Sequence, residues 1–341
     1  AKFGLEYLKK AIRTGMEAGD VLIIGYAHCL ILELRYLLGV SLEKIAGEIV
    51  KKQEMAARLK HENFTLATVI YEKVVTALSG REAGSLASGA QEFQKEKILA
   101  MAEHDQSSLA TFYFCKMQLH YLAGEYDHAL TAAENGQVYL KAISGFLLST
   151  EYCFYHSLVI TAIYDKLSFW DRKRLWKVLC RNKRQMKKWS ESCQENFRHK
   201  YILIAAEIAR LQQQEDKAMS WYDQAILSAR ENGYFHHEAL ANELAARFYL
   251  SKGLIKIART YLLDACRGYH FWGARAKVAE LKDRYPDLLE DTSWEEKNEV
   301  SQKDSSPMII SDLIKITSSL DSEIASTIET YHLERTADSI S

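Results

Sequence analysis

ALANELAARFYLSKGLIKIARTYLLDA, residues 239–265, reads as two helices and the turn between them. Apolar and small residues recur at three and four positions on both sides of Gly253, the period of a helix with one packed face. Gly253 sits where the first helix must stop, because a left-handed residue at that position costs glycine nothing. Ala246 and Tyr249 precede the turn, and Ala258, Leu262 and Ala265 follow it. Small side chains let two helices approach, and a bulky one fills the space they leave.

The pattern spreads outward from this pair. AMSWYDQA (218–225) repeats the second-helix set with Ala218, Tyr222 and Ala225, and GEYDHAL (124–130) supplies Gly124, Tyr126 and Ala129. Both segments and the opening stretch resemble tetratricopeptide repeats. Forty residues separate Ala218 from Ala258, so the unit here is longer than the family's, which is about 34. Gly19, Gly39, Gly80, Gly124, Gly145, Asn196, Gly233, Gly253 and Gly273 punctuate the chain at intervals near twenty residues or small multiples of it. The expectation is an all-α chain over residues 1–289: seven or so antiparallel helix pairs stacked into a right-handed superhelix, a TPR-like α-solenoid.

Composition agrees. Apolar residues make up 48% of the 341 and charged ones 26%, ordinary values for a globular protein. Proline is rare: Pro286 and Pro307 only. Since proline removes a backbone donor and clashes with the preceding turn, its scarcity favours helix throughout. Six scattered cysteines without a C-x-x-C predict reduced thiols. The most apolar run, VLIIGYAHCLILEL, is too short and interrupted to span a bilayer. The expected location is cytoplasmic, with neither membrane nor nucleic acid as partner: a net charge of −1 does not suit a globally basic nucleic-acid binder.

The ends differ from the middle. AKFGLEYLKKAIRTGMEAGD reads as the second helix of a hairpin whose first is missing. Residues 290–307 carry six Asp or Glu and predict an acidic linker. Within 308–341, Leu313, Ile316, Leu320, Ile324 and Ile328 mark an amphipathic connecting helix, a candidate homodimer contact, followed by a tail. An orphan helix at each end predicts a piece of something longer.

Two segments carry a second resemblance. RNKRQMKKWSESCQENFRHKYILIAAEIARL (181–211) and the residues after it are similar to the helical-repeat region of very large bacterial signalling proteins, through Trp189, Asn196, Phe197, His199, Lys200, Glu207, Arg210, Tyr222, Asp223, Ala225 and Ile226. GYHFWGARAKVAELKDRYPDLL (268–289) resembles that region's closing segment through Trp272, Gly273, Ala274, Lys277, Val278, Leu281, Tyr285 and Pro286. SDLIKITSSLDSEI (311–324) resembles the helix that leads into the sensor domain. Gln194 stands where the family has proline. In those proteins a serine/threonine-kinase-like domain and an AAA/STAND ATPase precede the repeats, and a GAF sensor and often a histidine kinase follow. The resemblance implies a non-catalytic sensor or scaffold module, binding a protein, a peptide, a ligand or the parent's own domains and relaying its state to them. The other reading is a stand-alone TPR-type peptide-binding regulator.

No catalytic or cofactor motif appears. Phosphate binding needs a Gly-rich loop after a strand; GREAGSLASGAQE (80–92) lacks the lysine and predicts an interhelical loop. His236, His237 and His270, the Cys153–His156 pair and the Cys266–His270 pair do not assemble a zinc set, because adjacent helical residues point about 100° apart and two ligands are too few. No metal or cofactor is expected. The aromatic runs at 112–114 and 152–155 predict core packing between hairpins. DRKRLWKVLCRNKRQMKKW (171–189) stands out, with nine Lys or Arg in nineteen positions. Lys173, Lys177, Arg181, Arg184 and Lys188 step by three or four along one face, opposite Leu175, Leu179, Met186 and Trp189. Those five are the candidate docking residues, with Lys166 and the 198–200 segment expected to extend their charge.

Overall fold

A computed structural model describes residues 2–81, 85–92 and 105–289. The expected linker (290–307) and connecting helix (308–341) lie outside the described residues. Those described form fifteen α-helices and no strand. They are α1 (Lys2–Ala18), α2 (Val21–Leu37), α3 (Leu42–Leu59), α4 (Glu62–Ser79), α5 (Leu86–Glu92), α6 (Gln106–Leu122), α7 (Tyr126–Gly136) and α8 (Leu147–Ile163). Then follow α9 (Phe169–Ser192), α10 (Gln194–Leu211), α11 (Glu215–Glu231), α12 (Phe235–Ser251), α13 (Ile255–Trp272), α14 (Arg275–Arg284) and α15 (Pro286–Leu289).

One turn recurs. A residue with positive φ ends the helix, and the next N–H reaches back five residues to a carbonyl. Gln214→Ala209, Tyr234→Ala229, Leu254→Tyr249 and Ala274→Tyr269 all close at 2.9 Å or 3.0 Å. Their donors stand twenty residues apart, and the same bond returns at Asp20, Val40 and His61. This is the Schellman closure, which satisfies carbonyls the helix end leaves bare. Seventeen or eighteen helical residues plus this turn make the twenty-residue step. Glycine supplies the left-handed residue at 233, 253 and 273, whereas Gln213 (φ 58°) and Lys60 (φ 49°) supply it without glycine.

Two expectations change. Residues 86–92 form helix α5 rather than part of a loop. Gly89 lets α5 seat on α4, since a Cβ there would lie 2.7 Å from the Ala77 methyl. Asn196 is no punctuation mark: the break falls at Cys193, and Asn196 lies in the first turn of α10. Gln194 opens that helix, the position where proline's missing N–H would cost nothing. Helix α1 lies along α2 and buries Leu5 and Ile12 in one cluster with Ala27 and Ile31.

Helices alternate in burial. α2, α4, α6, α8, α10 and α12 are inner: on α6, α8 and α12 most side chains are buried, on every side of the helix. α3, α7, α9, α11 and α13 bury one stripe each and leave the rest wet. Inner helices also meet one another across long sequence distances. Tyr36 on α2 donates to Gln118 on α6, Phe154 on α8 packs edge-on to His237 on α12, and Lys277 on α14 reaches the carbonyl of Leu122. The α2–α3 turn touches α12, where a Cβ on Gly39 would fall 2.1 Å from the His236 ring. The aromatic runs behave as expected, with Phe112, Phe114, Tyr152, Phe154 and Tyr155 all buried.

Candidate functional site

The 24-residue helix α9 begins at a serine N-cap. Ser168 Oγ accepts the Asp171 N–H at 3.2 Å and donates to the Asp171 carboxylate at 2.6 Å. Arg172 ties the start of the helix to the preceding segment through the carbonyls of Tyr164 and Asp165. Leu175, Leu179 and Met186 fix its inner stripe in the core, while Trp189 is half-buried against Phe197. That orientation leaves Lys173, Lys177, Arg181, Arg184 and Lys188 exposed, and none of the five enters an ion pair among the described residues. Off this stripe, Arg174 pairs with Glu134 at 2.8 Å and Lys183 stands over the Trp221 ring.

The structure adds what the sequence reading passed over. Phe169 and Trp170 open the helix 71% and 74% exposed, their rings edge to face. Trp170, Lys173, Lys177, Arg181, Arg184 and Lys188 step by three and four, so the tryptophan heads the basic stripe. At 1.5 Å per residue this stripe runs about 27 Å. Beside the far end of α9 opens a cleft of about 430 Å³, bordered by Lys187, Arg198, Tyr201 and Trp221. Large aromatics and arginine are the residues protein interfaces favour, and their exposure here is unexplained by folding. FW at 169–170 was legible as a pair of large apolar residues ahead of the basic face; its exposure was not.

The 198–200 segment divides. Arg198 is exposed, but His199 and Lys200 are buried, so Lys200 adds nothing to the outer charge. A lysine can be buried only with its charge met. Lys200 donates to Glu151 on α8 and stands 5.4 Å from the Phe197 and Tyr234 rings. His237 Nε2 lies 3.5 Å from the second Glu151 oxygen, and His237 Nδ1 shares a hydrogen bond of 3.0 Å with His199 Nε2. Burial lowers the pKa of His199, His236 and His237, and the nearby Lys200 charge adds to it. The imidazoles are held neutral.

A second buried lysine, Lys277, donates to Glu243 (2.9 Å), Glu280 (2.7 Å) and the Leu122 carbonyl (2.8 Å). Tyr269 donates to the other Glu243 oxygen. On α10, Glu207 accepts from Arg210 at 2.7 Å and from Tyr222, and Arg210 also reaches the Thr161 carbonyl. Burial pushes the Glu207 and Glu243 carboxyls up, but Arg210 and Lys277 outweigh it and hold both below the usual range. His199, Lys200, Glu207, Arg210, Tyr222 and Lys277 are among the residues that carry the signalling-protein resemblance. In this fold they take part in buried hydrogen bonds that tie neighbouring helices together.

For metals, His236 and His237 are packed ring against ring, with centroids 3.9 Å apart, and they belong to no group of three ligands among the described residues. Among the described residues His120, Glu125 and His128 could converge on an ion, their ligand atoms lying within 4.8 Å of one another. His120 Nδ1 is 2.7 Å from Glu125 Oε2 across the α6–α7 turn, which is a complete hydrogen bond without a metal. No disulfide joins the six cysteines, and Cys115 and Cys266 are buried.

No known family model matches the chain. Over 61 residues the chain is 38% identical to hybrid signal transduction histidine kinase G of Dictyostelium discoideum. That segment is 18% of this chain and 2% of the kinase, so the chain spans a small fraction of this curated relative. The likeness is consistent with a helical region related to signalling kinases. No helix among the described residues is long and apolar enough to cross a membrane.

Proposed function

We propose that the chain is a non-catalytic sensor and scaffold module of a multidomain signalling kinase, a right-handed superhelix of stacked helix pairs working in the cytoplasm. It receives a protein partner, or another domain of its own parent, on the outer face of α9 and relays that engagement between the ATPase and the sensor and kinase domains. The observation that carries the reading is the Trp170–Lys188 stripe: an exposed tryptophan continued by five exposed cations that enter no ion pair among the described residues. Folding gains nothing from that arrangement, whereas an acidic partner with one apolar anchor would bury the ring and meet the charges. The kinase likeness supports the signalling part, and the twenty-residue turn repeat supports the superhelix. Relay would proceed by small rotations at successive helix interfaces.

Two experiments test it. Sequencing the gene on both sides of the codons for Ala1 and Ser341 should reveal kinase and nucleotide-binding motifs upstream and a sensor domain downstream. A start codon before Ala1 and a stop after Ser341 would defeat the parent reading and favour a stand-alone peptide-binding regulator. In the parent, the triple change Lys177→Glu, Arg181→Glu and Arg184→Glu should alter kinase output while helix content and unfolding midpoint stay put. Unchanged output would remove the stripe from the relay.

A further inference from the structure

A cavity of about 290 Å³ opens between α2, α4, α6 and the segment after α7. Its lining is mainly apolar, with Ile70, Ile143 and Phe146 among the walls. Two carboxyl groups, Glu33 and Asp105, line it, and no Lys, Arg or His does among the described residues. Asp105 is saturated: it caps α6 and accepts from Ser107, Ser108 and Asn63, bonds that hold its carboxyl below the usual range against the effect of burial. It is therefore a fixed negative charge at the cavity.

Glu33 is different. It projects from the middle of α2, is only 9% exposed, and has no ion pair among the described residues. Arg35, two residues on, pairs with Glu48, and Lys52 stands 3.4 Å from His28 Nδ1. The Tyr71 hydroxyl lies beside the carboxylate and favours its charged form, and it has no other partner among the described residues. A buried carboxyl in this state is costly, and burial raises its pKa to about 7. Packing does not require it, for glutamine or leucine would fill the same volume. Tyr26 and Phe146, 48% and 43% exposed, place aromatic rings at the cavity, and Tyr71 adds a third in its wall.

We propose that this cavity binds a small organic amine with an apolar body, its ammonium paired with Glu33 and its hydrocarbon part against Ile70 and Phe146. An ammonium is what the site lacks: it neutralises Glu33, lies in the negative potential of Asp105, and meets aromatic faces that attract cations. The apolar walls exclude a bare metal ion or a highly polar ligand, which would lose hydration for few contacts. The volume is at the small end for ligand cavities and suits a monoamine with one ring or a short chain. The site shares no residue with the α9 stripe, so it goes beyond the docking reading and does not depend on it.

The test is calorimetric titration of the full chain with 2-phenylethylamine and n-hexylamine, with 2-phenylethanol as the neutral match of the first. Saturable binding of an amine is expected, with the alcohol weaker by about tenfold or more, since it leaves the carboxylate unpaired. Glu33→Gln should weaken the amine by a similar factor and leave the alcohol unchanged. Ala67→Phe, which fills the cavity from a half-buried position, should abolish both and covers the case in which the Glu33 variant fails to fold. Equal binding of amine and alcohol would overturn the proposal, as would full amine binding by Glu33→Gln. Absence of saturable binding by both amines into the millimolar range would overturn it too.

Discussion

Lys200 and Lys177 both sit on long helices near the middle of the chain, yet they live in opposite media. Lys200 is buried between α8, α10 and α12 with Glu151 as its partner, whereas Lys177 stands in water on α9 with none. The inner network and the outer stripe are built from the same residue types. The inner charges are fixed by acids on other helices, so removing one strands another. The outer charges enter no ion pair among the described residues. A charge tells little about its role until its partner is known.

The comparison can be broken from the inside first. Lys277→Ala leaves buried Glu243 without its ion-pair partner and the Leu122 carbonyl without its donor, while Glu280 keeps Arg284. Urea unfolding should show a loss of about 3–5 kcal/mol, the usual cost of stranding one member of a buried pair. A loss under about 1 kcal/mol would mean that the inner charges are as dispensable as surface ones.

Turns give the next contrast. Gly39→Ala requires a left-handed alanine and also drives a methyl into the His236 ring, so about 2–4 kcal/mol should be lost. Gly253→Ala pays only the backbone term, about 1 kcal/mol, because open space surrounds it. Equal losses would show that His236 does not hold the α2–α3 turn.

Acid should separate the two regions again. His28, His156, His199, His236 and His237 all have folded pKa values below the ordinary 6.5, with His156 at about 4. A lowered histidine contributes no penalty above pH 6.5 and costs stability as pH falls below it, about 1.4 kcal/mol per unit for each group. Glu33 works in the other sense: raised to about 7, it destabilises above that pH and recovers as pH falls toward 4.5. The histidines outnumber it, so stability should drop by about 3 kcal/mol or more between pH 7.5 and 5.5. Circular dichroism across that window checks the sign, and a flat profile would contradict neutral buried imidazoles. Glu33→Gln isolates the opposing group, adding up to about 3 kcal/mol at pH 8 and almost nothing below pH 4.5. The smallest effect belongs to the outer face, where Lys177→Ala should shift stability by less than about 0.5 kcal/mol.

Much of the architecture was legible. The three-four period marked the helices, and glycine marked most of the turns because only a left-handed residue closes them. Lys60 and Gln213 close the same turn without glycine, and no local signal gives them away. Residues 86–92 looked like a loop through their Gly and Ser content, and packing of Gly89 on Ala77 makes them helix. The basic face of α9 was readable from spacing alone. Its aromatic head at Phe169 and Trp170 was not, since an exposed tryptophan and a buried one have the same one-letter code.

The sequence by itself determined the local things: where helices run, where they stop, and which face of α9 is charged. Each of these depends on neighbours within about four residues, the range over which helical periodicity and capping act. Tertiary structure alone decided which charges are dry and which wet. Glu151 meets Lys200 and Glu243 meets Lys277 across 49 and 34 residues, and Glu33 is left in a cavity where no described cation reaches it. Such pairings depend on how helices far apart in the chain come together, and burial then multiplies the consequence, because a charge that costs little in water must find a partner or lose its proton balance once water is gone.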